Sequence, residues 1–165
     1  MSLTTPPVAR TAMCIRRPVA EVFEAFVDPA ITAKFWFTRG SARLTEGALV
    51  TWHWDMYGFA AEVRVTALEL NRRIVVEWPT PVEWLFTDRP DGTTFVTITA
   101  SGFTGTDDRQ VTAAIDSMGG FSFTLAACKA WLEHGIDLNI VADHSPDSHV
   151  ADGAEPGAES PEPEA

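Results

Sequence analysis

The stretch VTWHWDM at residues 50–56 alternates large apolar side chains with polar ones. Successive side chains of a β-strand point to opposite faces, so Trp52 and Trp54 share one face and the polar residues between them share the other. Two later stretches, IVVEW at 74–78 and VEWLF at 82–86, repeat the pattern and each carry one more tryptophan. One-sided alternation is typical of antiparallel sheets with one face in water. The region between Gly40 and Gly102 therefore predicts an antiparallel sheet with an aromatic inner face.

Helical patterns lie on both sides of this region. A predicted first strand at 8–15 is followed by a helix that begins at Pro18, with apolar residues at three- and four-residue spacing up to Val27. Asp28-Pro29 ends that helix and starts a second short one, predicted over 29–36. A long helix is predicted over about 107–139, with Thr106 as its cap. We expect this helix to cover the inner face of the sheet.

The last helix carries a predicted apolar stripe with a glycine pair inside it. Gly119-Gly120 costs about 1 kcal/mol per glycine relative to alanine. It predicts a kink or a junction between two helices, and the alternative is a close approach of backbone or ligand. The stripe consists of Val111, Ile115, Met118, Phe121, Leu125, Cys128, Leu132 and Ile136.

Length and charge set limits on function. A chain of 165 residues predicts one domain, which we place at 8–142. Residues 143–165 hold seven acidic residues, several prolines and no Lys or Arg, so they predict a disordered acidic tail that accounts for −7 of the net charge of −11. The body is therefore mildly acidic, which argues against nucleic acid and anionic membranes as partners.

Two cysteines are too few for a disulfide framework, and Cys14 and Cys128 are predicted to be buried thiols. A redox pair stays open, because spacing alone does not place the two side by side. The first residues lack the basic start and apolar run of a secretory signal. The predicted location is cytoplasmic.

Several motifs resemble one protein family. PVAEVFEAF at 18–26 with ITAKFW at 31–36 is similar to its opening helices, and ELNRRIVVEW at 69–78 to its mid-sheet hairpin. SGF at 101–103, and the later Gly120-Phe121 with Glu133-His134-Gly135, resemble its closing motif. The chain is thus identified as a member of the family related to the C-terminal domain of the activator of the Hsp90 ATPase, within the START, Bet v 1 and polyketide-cyclase-like (SRPBCC) superfamily. The resemblance covers residues 8–142.

The resemblance implies an α+β helix-grip fold, in which a curved antiparallel sheet wraps around a long C-terminal helix and two short helices follow the first strand. Two positions depart from the family. Phe121 stands where a tryptophan is common, and Ala100 stands where a histidine often precedes the Ser-Gly-Phe motif. The second departure makes the expected cavity more apolar and weakens an acid-base role there. The superfamily includes lipid carriers, cyclases and receptors, so the fold does not select a function.

Polar groups for catalysis are few. The four histidines form no metal-binding pattern, so no metal site and no cofactor are predicted. General acid-base catalysis requires a buried ionisable group. The candidates are Asp55, Tyr57, Glu62, Glu83 and Asp116. Alternation places most of them on the outer face, so no catalytic residue is assigned. The sequence therefore favours a protein that is not an enzyme.

The predicted function is to bind a hydrophobic or aromatic small molecule in a cavity between the curved sheet and the C-terminal helix. The predicted ligand-binding residues are Trp36, Trp52, Trp54, Met56, Tyr57, Phe59, Trp78, Trp84, Phe86, Met118, Phe121 and Leu125. The same aromatic residues can instead fill a core. Two alternatives stay open: a cofactor-free cyclase-like or hydrolytic enzyme, and a protein-interaction module of the chaperone-activator type, which needs an exposed apolar patch. A homodimer is the remaining partner prediction.

Overall fold

Seven strands form one antiparallel sheet in the computed structural model, which describes residues 2–147. The strands are β1 (Ala9–Ile15), β2 (Arg39–Gly40), β3 (Leu49–Trp54), β4 (Phe59–Glu69), β5 (Arg73–Trp78), β6 (Thr80–Asp88) and β7 (Thr94–Ala100). Strands β2 to β7 are neighbours in chain order, and β1 pairs with β7 at the far edge. With the long helix that follows, this confirms the predicted α+β helix-grip fold.

The predicted alternation is confirmed in the central strands. Trp84 on β6 lies opposite Ile74 of β5 and Ile98 of β7, and all three side chains are buried on the inner face. Glu83 points the other way and forms an ion pair with Arg73 of β5. The sheet therefore has one apolar inner face and one polar outer face.

Four helices complete the described chain: α1 (Val19–Val27), α2 (Pro29–Thr32), α3 (Asp107–His134) and α4 (Ile140–His144). The Asp28 carboxylate accepts a hydrogen bond from the Ala30 N–H and so caps α2, which is shorter than predicted. Helix α3 also ends before the predicted residue, because Gly135 adopts a left-handed conformation with φ of 65°. The Gly135 N–H donates to the Trp131 carbonyl, which satisfies one of the last carbonyls of the helix.

Helix α3 runs without interruption through Gly119-Gly120, so the predicted junction between two helices is wrong. The helix packs along β1 and β7. Its buried face combines small residues with large ones: Ala114, Gly120, Phe121, Thr124, Leu125, Ala127 and Cys128. Small side chains let the first half of the helix lie close to the sheet.

The predicted apolar stripe of α3 is correct in its second half and wrong in its first. Val111, Ile115 and Met118 are exposed to solvent. At 100° per residue they lie to one side of Ala114 and Gly120, which face the protein interior. Ile136 is also exposed, because the helix has ended by then. A count of apolar residues at helical spacing does not distinguish the buried face from an apolar flank.

By length and composition alone, α3 is apolar enough to cross a membrane, and 39% of its most apolar window is buried in the described structure. Its two faces differ, since one packs on the sheet and the other carries Asp108, Arg109 and Asp116 in solvent. Its solvent-facing surface thus carries charged side chains as well as the apolar flank of Val111, Ile115 and Met118.

Replacing Gly119 with alanine is expected to stabilise the protein by about 0.5–1 kcal/mol, because alanine favours the helix and a Cβ at this position has no atom within 4 Å. Urea unfolding measures this change. Gly40→Ala is the matched control with the opposite sign, since its Cβ would lie 2.8 Å from the Cβ of Pro29. A loss of stability in Gly119→Ala would contradict the open space beside this helix position.

The predicted boundary between domain and tail falls inside a helix. Helix α4 continues to His144, two residues past the predicted end of the domain at 142, and its Val141 side chain is buried. Residues 148–165, most of the predicted tail, lie outside the described residues, and the prediction for them stands untested.

Candidate functional site

Six aromatic rings meet on the inner face of the sheet, and we call them the aromatic cluster. They are Trp36, Trp52, Trp54, Trp78, Trp84 and Phe121. Trp36, in the segment between α2 and β2, is the centre of the cluster, because its ring centroid lies 5.0–6.3 Å from those of the other five. These distances are typical of direct aromatic packing.

Strand positions explain why the rings converge. Trp52 and Trp54 are two residues apart on β3 and therefore share a face. Trp78 is the last residue of β5. The rings of Trp54 and Trp78 stack with an interplanar angle of 10° and a centroid distance of 5.3 Å. Most other pairs in the cluster stand tilted or edge to face. The cluster is thus a preformed apolar surface built mainly from rigid strands.

A gap lies beside the cluster, lined by Phe26, Trp36, Leu44, Trp52, Ile74 and Trp84. At no point is the gap wide enough for a water-sized sphere. The gap is therefore narrow and closed to water in this conformation. Any ligand that enters must move at least one lining side chain.

This gap differs in position from the predicted cavity. The prediction placed a cavity between the sheet and the C-terminal helix, whereas this gap is bordered by α1 and by the segment that follows α2. Helix α3 contributes Phe121, whose ring packs against Trp36 and Trp84, but no residue of α3 lines the gap. The reason is that α3 lies over β1 and β7, at one edge of the sheet.

Three buried indole nitrogens in the cluster have no hydrogen-bond partner. They are the Nε1 atoms of Trp36, Trp54 and Trp84, whose residues are 4%, 0% and 2% exposed. A buried donor without an acceptor costs about 1–3 kcal/mol. The site therefore holds unused hydrogen-bonding capacity within apolar walls.

The structure places the predicted ligand-binding residues in five groups. Trp36, Trp52 and Trp84 line the gap. Trp54, Trp78 and Phe121 complete the cluster around it, while Phe86 and Leu125 are buried elsewhere in the same core and Met56, Tyr57 and Phe59 are half-buried against it. Met118 is different, because it lies on the exposed flank of α3 and is 51% exposed. Its predicted inward position is therefore wrong, because Met118 belongs to the same exposed apolar flank of α3 as Val111 and Ile115.

Three lining residues were not among the predicted site residues. Phe26 and Ile74 could have been predicted from the sequence, since each follows the apolar period of its helix or strand. Leu44 lies in the irregular segment between β2 and β3, where no periodicity exists to identify it. Irregular segments of this kind have to be placed by the tertiary structure.

Tyr57 ends the 3-10 helix after β3, and its hydroxyl donates a hydrogen bond to the Val141 carbonyl of α4. A second contact joins the rings of Phe123 of α3 and His144 of α4, with 4.7 Å between their centroids. These contacts attach α4 to the main body. Tyr57 thus acts here as an anchor for the last helix.

The carboxylates considered for acid-base chemistry lie outside the aromatic cluster. Asp55 is exposed and pairs with Arg39, and Glu83 pairs with Arg73 at 2.7 Å on the outer face of the sheet. Glu62 and Asp116 are exposed. Among the residues that the structure describes, the fully buried polar side chains are three threonines, at positions 32, 94 and 124. The described site thus offers apolar packing and indole donors rather than a buried acid or base.

Metal ions are held by several His, Cys, Asp or Glu side chains that lie close together, and the structure describes such residues within 2–147. No group of three or more His, Cys, Asp or Glu side chains in that range is arranged to hold a metal ion. The two cysteines in the same range are free thiols, one half-buried and one buried.

The Cys128 thiol is expected to be unreactive in the folded protein. Burial, and to a lesser degree the nearby Glu133 charge, raises the pKa of this thiol far above its ordinary value, so almost no thiolate forms at neutral pH. In a Cys14→Ser variant, Ellman's reagent should therefore detect no thiol until denaturant is added. The Cys128→Ser variant is the control, since its half-buried Cys14 is retained. Rapid labelling of folded Cys14→Ser would contradict the buried position.

Comparisons with known proteins agree with this fold. The chain resembles the structure of protein SSP2350 from Staphylococcus saprophyticus with 30% sequence identity and a TM-score of 0.73, over 80% of this chain and 96% of that one. The Aha1 dimer from Colwellia psychrerythraea matches with 17% identity and a TM-score of 0.67, over 78% of this chain and 98% of that one. CalU16 from Micromonospora echinospora matches with 14% identity and a TM-score of 0.61, over 88% and 94% of the two chains.

The last two likenesses, below 25% identity, concern the fold alone. Among proteins with curated descriptions, none matches the chain. A family model does match, over residues 16–133, and its description is activator of Hsp90 ATPase homolog 1-like protein. That range runs from the end of β1 almost to the end of α3 and includes every residue that lines the gap. The chain therefore belongs to the activator of Hsp90 ATPase homolog 1-like family.

Proposed function

We propose that this protein binds a hydrophobic or aromatic small molecule at the aromatic cluster. The observation that supports this most directly is the buried aromatic cluster with its narrow gap, which is lined by three tryptophans, one phenylalanine, one leucine and one isoleucine. Small-molecule sites are mostly apolar and aromatic, with few polar groups that fix orientation. The unpartnered indole N–H groups of Trp36 and Trp84 are such polar groups.

Ligand entry requires the gap to widen, and two lining residues are suited to this. Trp36 and Leu44 lie between secondary-structure elements, whereas Trp52, Ile74 and Trp84 are held in paired strands. The N–H of Trp36 donates to the Thr32 carbonyl and that of Leu44 to the Val27 carbonyl. The strand residues belong instead to continuous hydrogen-bonded ladders with their neighbours, which are harder to open. We infer that the wall formed by Trp36 and Leu44 moves and that the strand wall stays in place.

The first test is to purify the full-length protein, denature it and identify released compounds by mass spectrometry. We expect an apolar compound in roughly equal molar amount to the protein. A Trp52→Leu variant, which alters the strand wall, should release much less, whereas Ile115→Ser on the exposed flank of α3 should release the same amount. Equal amounts from all three proteins would mean that the compound binds elsewhere.

If no compound is released, an added probe tests whether the aromatic cluster binds an apolar molecule. Tetralin, a neutral two-ring hydrocarbon, should raise the melting temperature of the wild type, and the shift should increase with the tetralin concentration. No release together with no shift at saturating tetralin would overturn the binding function.

A second candidate function is a protein-interaction module, and one observation favours it. Val111, Ile115 and Met118 form an exposed apolar flank on successive turns of α3, where water would otherwise favour polar side chains. The test is the turnover of an Hsp90 ATPase with and without the protein. Stimulation by the wild type that is lost in Ile115→Glu would support this function, and no stimulation would exclude it for that partner.

Cytoplasmic location and homodimer formation also remain predictions. Cell fractionation tests the first, and sedimentation equilibrium of the wild type tests the second.

A further inference from the structure

The three unpartnered indole N–H groups are concentrated at one place in the molecule. Trp36 and Trp84 both border the gap, and the ring of Trp54 lies 5.9 Å from that of Trp36. Phenylalanine would fill such positions without a buried donor, and the chain uses it at nearby buried positions such as Phe26 and Phe37. Tryptophan at the gap thus brings a donor that the protein itself does not use.

An indole N–H can only donate, so its natural partner is an acceptor. Buried tryptophans usually find such a partner for this group. The side chains that line the gap provide no acceptor, because all six are apolar or indole. Water does not supply one either, since no water-sized sphere fits in the gap.

The same lining restricts the charge and the donors of the ligand. No Lys or Arg of the described residues is among the fully buried side chains, so a carboxylate or phosphate in the gap would lose its hydration without gaining a counter-charge. A hydroxyl or amine on the ligand would in turn meet no side-chain acceptor. The lining therefore fits a ligand with an uncharged oxygen that accepts a hydrogen bond.

We propose that the ligand is a neutral aromatic ketone, or a compound of the same chemistry, whose carbonyl oxygen accepts a hydrogen bond from the indole N–H of Trp36 or Trp84. This inference rests on the proposed binding function and adds the ligand's chemical class to it. The apolar walls hold the aromatic frame, and the carbonyl sets its orientation. The hydrogen bond also removes the cost of a buried donor without a partner.

Two probes with one frame test the inference. 1-Tetralone and tetralin share a fused two-ring frame, and the first carries a carbonyl oxygen where the second has none. Their dissociation constants are measured for the wild type, Trp36→Phe and Trp84→Phe by following indole N–H resonances in ¹H–¹⁵N spectra. Comparing each probe across variants cancels the difference in hydrophobicity between the probes.

We expect 1-tetralone to bind about tenfold more weakly to at least one of the two variants, with tetralin changed by less than about twofold. In the wild type, the indole proton of Trp36 or Trp84 should move downfield with 1-tetralone only. Trp131→Phe is the matched control, since Trp131 lies on α3 outside the cluster, with Lys34 6.0 Å from its ring. That variant should bind both probes like the wild type.

Other results have distinct meanings. If both probes bind and each variant weakens them equally, the carbonyl inference is wrong while the binding function stands. If neither probe binds the wild type and the denatured protein releases no compound, the binding function itself is overturned and the inference with it. A released compound that has no acceptor oxygen would overturn the inference alone.

Discussion

Replacing Trp54 with alanine should lower the free energy of unfolding by about 3–5 kcal/mol. Trp54 is fully buried, stacks on Trp78 and meets Trp36 and Trp52 nearly edge to face. Truncation removes these contacts and leaves a cavity that rings held on paired strands cannot readily fill. Urea unfolding followed by far-UV circular dichroism measures the change.

Two control variants separate packing from the other properties of this residue. Trp54→Phe should cost only about 1–2 kcal/mol, since it leaves a smaller cavity and removes an N–H that has no partner. Glu83→Ala should cost less than about 1 kcal/mol, because its ion pair with Arg73 is on the partly exposed outer face. Similar losses for Trp54→Ala and Glu83→Ala would contradict the assignment of the inner face.

Replacing Lys129 with methionine should destabilise the protein by about 2 kcal/mol near neutral pH. The Lys129 ammonium donates to the Glu133 carboxylate at 2.5 Å and to the Cys14 carbonyl of β1 at 2.9 Å. The Glu133 side chain is only 8% exposed and also accepts from the Arg16 N–H. Methionine keeps the length of the side chain but leaves a largely buried carboxylate without its counter-charge. It also removes the hydrogen bond that connects α3 to the Cys14 carbonyl of β1.

The loss should depend on pH. Burial acts to raise the pKa of Glu133, but the hydrogen bonds from Lys129 and the Arg16 N–H outweigh it and hold the pKa below its ordinary value of 4.5. A lowered folded-state pKa means that the pair contributes fully above the unfolded pKa and loses its contribution as the pH falls through the folded pKa. The difference between wild type and Lys129→Met should therefore shrink from about pH 7 towards about pH 3.

Glu133→Gln is the control for this pH dependence. It removes the titrating group, so the part of the acid-induced loss that belongs to Glu133 should disappear in that variant. A difference between wild type and Lys129→Met that stays constant across this range would show that the lysine stabilises the fold by packing alone.

Much of the fold could be predicted because its patterns are local. The alternation in β3, β5 and β6 assigned Trp52, Trp54 and Trp84 to the inner face, since side-chain direction in a strand follows from the peptide geometry alone. The start of α2 after Asp28 and the cap of α3 at Thr106 are also local, as each rests on a side chain that accepts from a backbone N–H two or three residues later.

The candidate site could be predicted only in part. Aromatic residues on the inner face of neighbouring strands had to meet, and Trp52 and Trp84 do border the same gap. Leu44 was missed because it follows no period, and Met118 was assigned inward because it follows a helical period that the flank of α3 also satisfies. Periodicity shows that an apolar face exists but not which neighbour covers it.

By itself, the sequence determined the element types, the two faces of the sheet and the family, because each depends on residues close together in the chain. Only the tertiary structure decided that α3 lies over β1 and β7, that Trp36 sits at the centre of five rings, and that the gap lies beside α1. These features depend on how distant segments share limited space. The total volume of their side chains, rather than any local pattern, sets where a gap remains.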